Sequence, residues 1–301
     1  MSLSADLRDE LAQISPARRC CRLAEVSALF HASGAWHLRG RAIAVHLDLA
    51  SSAAARRAFA LLRDLHVSSE IRTYPRRAFD RATRYQLHVE VDDHALEVLR
   101  EAGVLSSSGA PLEHPPKRVV GRACCRGAYI RGALLGAGSL SGPRDPHLEI
   151  RVGSLAGARF IAEAAAREGV ALTVAERRTH AVAYAKGHEA IAGVLALAGA
   201  GDTALRLEEH AVVAALRADA NRLANADEAN LVRSTRAAHE QLEAIRAIGV
   251  DRLPPHLAEV AELRMRNPSA SLRELAAKAR PPITKASAHR RLRAIQRLVE
   301  S

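Results

Sequence analysis

Four cysteines stand as two adjacent pairs, Cys20-Cys21 and Cys124-Cys125, in a chain of 301 residues. Zinc-binding cysteines are usually separated by about two to four residues, a spacing that neither pair has. The pairs read instead as small apolar residues at helix starts, with redox chemistry as the alternative. The 14 histidines include no HExxH pair. Asp92-Asp93-His94 reads as a strand end and helix cap rather than as a metal site. Gly136-Ala137-Gly138 lacks the lysine and the spacing of a phosphate-binding loop. These residue types indicate no enzyme and call for no cofactor or metal.

The remaining chemistry is that of charge. Lys and Arg number 44 against 33 acids, a formal net charge of +11 with a pI near 10.3. That balance favours an anionic partner such as nucleic acid or an acidic membrane surface. Hydrophobic content of 48% with only 3% aromatics excludes general disorder and implies a core of Ala, Leu, Val and Ile. The length allows two domains. No run of about 18 apolar residues is present to span a bilayer, and the first residues lack a secretory pattern. A cytoplasmic, nucleoid-associated protein with no membrane partner is expected.

Charge is concentrated near the C-terminus. From Leu275 to Val299 there is no acid, while Lys278, Arg280, Lys285, Arg290, Arg291, Arg293 and Arg297 are basic. Ser271-Leu272-Arg273-Glu274 is a capping box opening one helix. Arg280-Pro281-Pro282-Ile283 makes a turn, and Thr284 starts a helix with the core stripe Ala288, Leu292, Ile295 and Val299. Ser287, Arg290, Arg293 and Arg297 then face broadly the other way. With a helix over 256–266 in front, this is the pattern of a helix-turn-helix with a basic recognition helix. Lys285, Ser287 and Arg290 are expected to reach base edges and Arg293 and Arg297 phosphates, with Arg291 at the flank.

The upstream chain is a repeat. Cys20–Trp36 (CCRLAEVSALFHASGAW) and Cys124–Leu140 (CCRGAYIRGALLGAGSL) align at an offset of 104 positions, matching Cys20 to Cys124, Arg22 to Arg126 and Gly34 to Gly138. Each copy reads as a short apolar helix that breaks at its last glycine and turns into a strand. Gly132 and Gly136 leave room for a second helix to press close. After the first copy come strands over 36–40 and 43–49, a helix over 53–65, strands over 69–74 and 84–91, and a helix over 95–101. After the second come strands over 139–140 and 147–152, a helix over 155–168, strands over 170–176 and 180–185, and a helix over 189–197.

The expected fold is therefore an α+β N-terminal domain (1–199) of two α-β-β-α-β-β-α halves, about 20–104 and 121–199, on a pseudo-two-fold axis. A lead-in helix over 5–14, capped by Ser4, precedes them, and the Pro-rich 111–116 joins them. Residues 203–247 are helical, with Asn225-Ala226-Asp227 the best break. Residues 200–226 read as a helical linker, and 227–301 as an all-α helix-turn-helix domain.

The paired helices ending at Gly34 and Gly138 resemble those of the LAGLIDADG homing-endonuclease fold. With Asn221–Asn225, Glu228–Leu231, Val260–Arg264, Asn267-Pro268, Pro281–Lys285 and Arg291–Arg293, nearly the whole chain resembles the WhiA family of bacterial transcription regulators. That family joins the endonuclease-like fold to a C-terminal helix-turn-helix. It more often has Gly-Val-Asn-His where Ser287-Ala288-His289-Arg290 stand here, so the resemblance allows a different operator.

LAGLIDADG nucleases place one acid before each terminal glycine, and the two carboxylates share divalent metals that activate water. The matching positions here are Ser33 and Ala137, and the earlier acidic positions fall on His31 and Leu135. The resemblance thus implies a scaffold that keeps its shape without catalytic carboxylates. It also implies control of sporulation and cell-division genes at promoter regions of double-stranded DNA, with a WhiB-type iron–sulfur regulator as partner. In homing endonucleases the sheet surface lies on DNA. Arg72, Arg76, Arg77, Arg84, Arg151, Arg177 and Arg178 could add such a second contact, or only keep the surface soluble. Alternatively the N-terminal domain docks a protein or senses a ligand, and only the C-terminal domain holds DNA.

Overall fold

The structure, a computed structural model, describes residues 2–39, 42–75, 83–142 and 145–300. The chain enters through α1 (Leu3–Gln13) and then runs twice through one order of elements. The first pass is α2 (Arg19–Ser33), β1 (Gly34–Arg39), β2 (Ala42–Leu49), α3 (Ser52–Asp64), β3 (Ser69–Pro75), β4 (Thr83–Val89) and α4 (Asp93–Glu101). The second is α5 (Ala123–Ala137), β5 (Gly138–Ser141), β6 (His147–Val152), α6 (Leu155–Ala166), β7 (Thr173–Glu176), β8 (Ala181–Lys186) and α7 (His188–Ala198). Each pass closes an antiparallel four-stranded sheet, in the orders β1-β2-β4-β3 and β5-β6-β8-β7. The doubled α-β-β-α-β-β-α order expected from the repeat is present.

Helices α2 and α5 have 15 residues each. Every residue from Leu23 to Phe30 and from Gly127 to Gly136 is buried, as befits helices apolar on nearly all sides. A side chain at Gly132 would collide with the Glu25 carbonyl of α2 and stand 3.0 Å from the Ala28 methyl. This glycine lets the two backbones approach. Gly138 has φ −76°, open to any residue. It is required for space, since a Cβ there would lie 2.6 Å from the Leu134 carbonyl oxygen. Gly34 faces Phe30 in the same way.

The middle of this helix pair contains charge. Glu25 is fully buried; its Oε1 accepts from Arg57 Nε and its Oε2 from Arg131 Nε, both at 2.9 Å. Arg57 also donates to Ser15 Oγ (3.1 Å) and Arg131 to the Ala198 carbonyl (3.2 Å). A buried carboxylate is tolerated when its charge and lone pairs are met in this way. Glu25 thereby ties α2 to α3 and α5.

Helix α1 starts earlier than its sequence suggests. Ser2, not Ser4, is its cap, accepting from Ala5 N at 3.3 Å. Ser4 is freed to bond both backbone groups of Leu140, accepting from its N at 2.7 Å and donating to its O at 2.8 Å. At the other end Glu10 accepts from Asp202 N (2.9 Å) and Thr203 N (2.8 Å), satisfying orphan donors at the start of α8 (Gly201–Ile248).

The chain forms two compact units, 1–214 and 215–301. Helix α8 runs unbroken through Asn225-Ala226-Asp227, so no break occurs at that tripeptide. Its apolar residues Leu205, Val212, Val213, Leu216, Leu223 and Leu231 are exposed. The second unit is completed by α9 (Pro255–Arg266), α10 (Leu272–Lys278) and α11 (Lys285–Glu300). Ile245, Leu257, Val260, Leu275, Leu292 and Ile295 form its core. Val299, expected in that stripe, is instead 47% exposed in the last turn of α11. Among the described residues no helix is long and apolar enough to cross a membrane.

Gly132→Ala should cost about 1–3 kcal/mol through forced separation of the helices. Glu25→Ala should cost about 3–5 kcal/mol, because it strands two buried guanidinium groups. Urea unfolding of both variants checks the order; a Glu25→Ala protein as stable as the parent would contradict the ion-pair account.

Candidate nucleic-acid interface

Helix α10 opens on the expected capping box: Glu274 N donates to Ser271 Oγ (3.3 Å) and Ser271 N to Glu274 Oε2 (2.7 Å). The backbone N–H holds the Glu274 carboxyl below its usual range. The turn to α11 contains a cis Arg280-Pro281 bond and is pinned by Ile283 N donating to the Ala276 carbonyl at 3.0 Å. Thr284 caps α11 by accepting from Ser287 N at 3.1 Å. Ala288, Leu292 and Ile295 then face the core, leaving Lys285, Arg290, Arg293 and Arg297 exposed. Ser287 is half-buried.

Two other arginines of this unit are placed by packing. Arg291 is half-buried, with Nη1 3.5 Å from Glu259 Oε2 on α9. The same carboxylate accepts from Arg280 N at 2.7 Å. Arg291 therefore holds α11 to α9. Arg264 is only 2% exposed and donates to Gln241 Oε1 (3.0 Å) and the Ala270 carbonyl (2.6 Å). It joins α8, α9 and the turn before α10 through polar bonds. An arginine in an otherwise periodic helix shows its burial in sequence only as a break in the polar face.

On the sheets, strand alternation sends Val45, Leu47, Leu49, Leu87 and Val89 inward and His46, Asp48, Gln86 and His88 outward. Exposed Arg72 lies 2.9 Å from Glu70, two residues away on the same strand face. Arg151 lies 3.5 Å from Glu149 in the same relation on β6. Arg84 is half-buried on β4, and Arg177 and Arg178 sit in the turn between β7 and β8. Arg76 and Arg77 lie outside the described residues. Across β1, β2 and β4 the rings of His37, His46 and His88 stack with centroids 5.0 and 5.2 Å apart. Among the described residues, the outward face of the first sheet is thus rich in histidine, and its Arg72 is paired with Glu70.

The ends of α2 and α5 carry no carboxylate. Ser33 Oγ donates back to the Leu29 carbonyl at 2.8 Å, and Ala137 has no polar side-chain atom. Leu135 is buried. His31 Nδ1–H donates to the Ser27 carbonyl at 2.7 Å, and burial pushes its pKa down to about 4. One residue past Ala137, the Gly138 carbonyl accepts from Arg8 Nη2 at 2.6 Å. That bond fastens α1 to the start of β5.

Three family models match successive stretches of the chain. "WhiA N-terminal LAGLIDADG-like domain" matches residues 19–105, "WhiA LAGLIDADG-like domain" matches 126–217, and "WhiA C-terminal HTH domain" matches 220–299. "Probable cell division protein WhiA" of Heliobacterium modesticaldum is 36% identical over 308 aligned positions, covering 100% of this chain and 97% of the relative. The chain belongs to the WhiA family. The protein of that name from Acidothermus cellulolyticus is 38% identical over 299 positions, covering 97% of this chain and 92% of its own. The crystal structure of full-length DUF199/WhiA from Thermatoga maritima superposes with a TM-score of 0.58 at 24% identity, covering 100% of this chain and 98% of that one. The WhiA fold, a LAGLIDADG-like domain of two sheets followed by a helix-turn-helix region, is thus the fold of this chain.

His31 gives the helix-pair end a pH signature. Folded His31 takes up a proton only near pH 4, whereas an ordinary histidine does so near 6.5. Between those values the unfolded chain binds the extra proton, so stability is complete above pH 6.5 and falls as pH drops toward 4. His31→Leu should flatten that slope, which unfolding free energies measured at pH 7 and pH 5 will reveal.

Proposed function

We propose that the chain is a sequence-specific DNA-binding transcription regulator acting at promoters of cell-division and sporulation genes. The observation that carries this reading is α11. One face is buried in the second unit's core, and the other presents Lys285, Arg290, Arg293 and Arg297 to solvent. Recognition helices contact base edges from their N-terminal residues and phosphates further along. Lys285 and Arg290 take the base-reading role, with Ser287 beside them, and Arg293 and Arg297 the phosphate role. Arg291 serves the interface by holding α11 against α9. The helix-turn-helix domain of this reading spans 227–301, and the endonuclease-like domain spans 1–199 with 200–226 as a helical link.

The endonuclease-like domain is read as non-catalytic, because Ser33 and Ala137 bring no carboxylate to the helix-pair end. Reproducible Mg²⁺-dependent nicking of supercoiled DNA by pure protein would overturn that reading. A second reading concerns what this domain touches instead. The pairing of Arg72 with Glu70 and of Arg151 with Glu149 reduces the attraction of the sheet faces for phosphates. It favours a domain that docks a protein, such as a WhiB-type iron–sulfur regulator, over one whose sheets grip DNA.

Arg290→Ala should weaken specific binding by about 1–3 kcal/mol and relax sequence preference. A footprint unchanged by that substitution would remove α11 from base recognition. Arg72→Ala with Arg151→Ala separates the roles of the sheets. Docking predicts an unchanged slope of log affinity against log salt, whereas a DNA-gripping sheet predicts a shallower one.

A further inference from the structure

The two cysteine pairs, 104 positions apart in sequence, meet in space. All four Sγ atoms of Cys20, Cys21, Cys124 and Cys125 lie within 4.8 Å of one another. The pseudo-symmetry of the repeat produces this cluster. Each pair occupies the second and third positions of its helix, and the N-terminal ends of α2 and α5 lie side by side. Local spacing hides the set, because each helix supplies two adjacent ligands instead of one CxxC motif. Of the four cysteines expected to be buried, only Cys21 and Cys125 are. Cys20 is half-buried and Cys124 exposed.

We propose that these four cysteines are a structural metal site, binding one tetrahedral thiophilic divalent ion, zinc, between the two halves of the repeat. A zinc–thiolate bond of about 2.3 Å places the sulfurs of a tetrahedral site about 3.8 Å apart. The Sγ atoms of Cys124 and Cys125 are 4.0 Å apart, and no pair in the cluster exceeds 4.8 Å. Small rotations about the side-chain torsions close the remaining gap. An iron–sulfur cluster fits less well, because its cysteines bind different irons and stand further apart. Mutual proximity of all four atoms also differs from two separate disulfides, each of which would join one pair at about 2.05 Å.

The surroundings suit the charge of such a site. Four thiolates around a divalent cation leave a net negative charge, which the positive ends of two 15-residue helices favour. Neither helix has a side-chain cap; the cap positions are Arg18 and Arg122. Arg18 Nη1 lies 3.8 Å from Cys124 Sγ, placing a cation beside the exposed ligand. Cys124 gives the ion a route in from solvent, while Cys21 and Cys125 shield it from within. Bound metal would clip the two halves together across more than a hundred residues of chain, lowering the entropy of the unfolded state.

The test is the metal content of the untagged full-length protein, purified anaerobically under reducing conditions. One equivalent of zinc per chain is expected, with four thiols that react slowly until a chelator is added. Replacing zinc by cobalt should give the intense visible bands and thiolate charge transfer of a tetrahedral sulfur site. Removing zinc should lower the melting temperature of the protein, and returning zinc should restore it. Cys124→Ser, at the exposed ligand, should lose the cobalt spectrum. Wild-type protein that retains no zinc after incubation and dialysis, with four freely reacting thiols, would overturn the proposal. So would acid-labile sulfide, an intramolecular disulfide in the anaerobic protein, or a cobalt spectrum indifferent to Cys124→Ser. The wild-type metal content decides the matter even if the variant does not fold.

Discussion

The contact of α2 with α5 at Gly132 is the constraint on which the first unit depends. A backbone carbonyl occupies the space of a missing side chain, so the two helices run closer than any larger residue would permit. From that distance the rest of the domain follows. The far ends of the helices lead directly into β1 and β5, and both sheets pack against both helices of the pair. At the centre, the short separation brings Arg131 to Glu25, so that a carboxylate removed from water finds donors from two other helices. At the near ends it gathers four sulfur atoms.

The second unit solves a different problem with few residues. Its core is small, and α10 has only seven residues, too few to be stable alone. Polar bonds supply what burial lacks. Arg264 reaches Gln241 and the backbone before α10, and Glu259 receives both the turn and α11. Basic residues on this unit therefore divide into those spent inside it, such as Arg264 and Arg291, and those exposed at its surface, such as Lys285 and Arg290. Net charge alone overstates the second group.

Much of this was legible in the sequence. The repeat, the glycine at each helix end, the order of helices and strands along each half and the capping box are local or periodic signals, and each appears as expected. The substitution of Ser33 and Ala137 for acids could also be read directly. What escaped reading depends on residues distant in the chain. Glu25 shows in sequence as a charge in an apolar helix but does not name Arg57 and Arg131. Ser4 looked like a cap because the strand it binds lies far downstream. The pairing of Arg72 with Glu70 and of Arg151 with Glu149 is legible once the strands are known, since each arginine follows its acid by two positions on one strand face. Val299 was drawn into a core stripe that periodicity continued past the point where anything remains to pack on.

The halves of the repeat have diverged where they look most alike. Glu25 on α2 pairs with Arg57 on α3, while Tyr129 on α5 and Phe160 on α6, their counterparts when α3 and α6 are aligned on their caps Ser51 and Ser154, form an edge-to-face aromatic contact at 5.4 Å. Arg131 likewise faces a partner that its own counterpart, Ser27, does not need. A dimer of two second halves would bury two arginines with no carboxylate between them. A dimer of two first halves would have Glu25 twice and Arg131 not at all. The two halves are therefore not interchangeable, because each brings the core a residue that the other lacks.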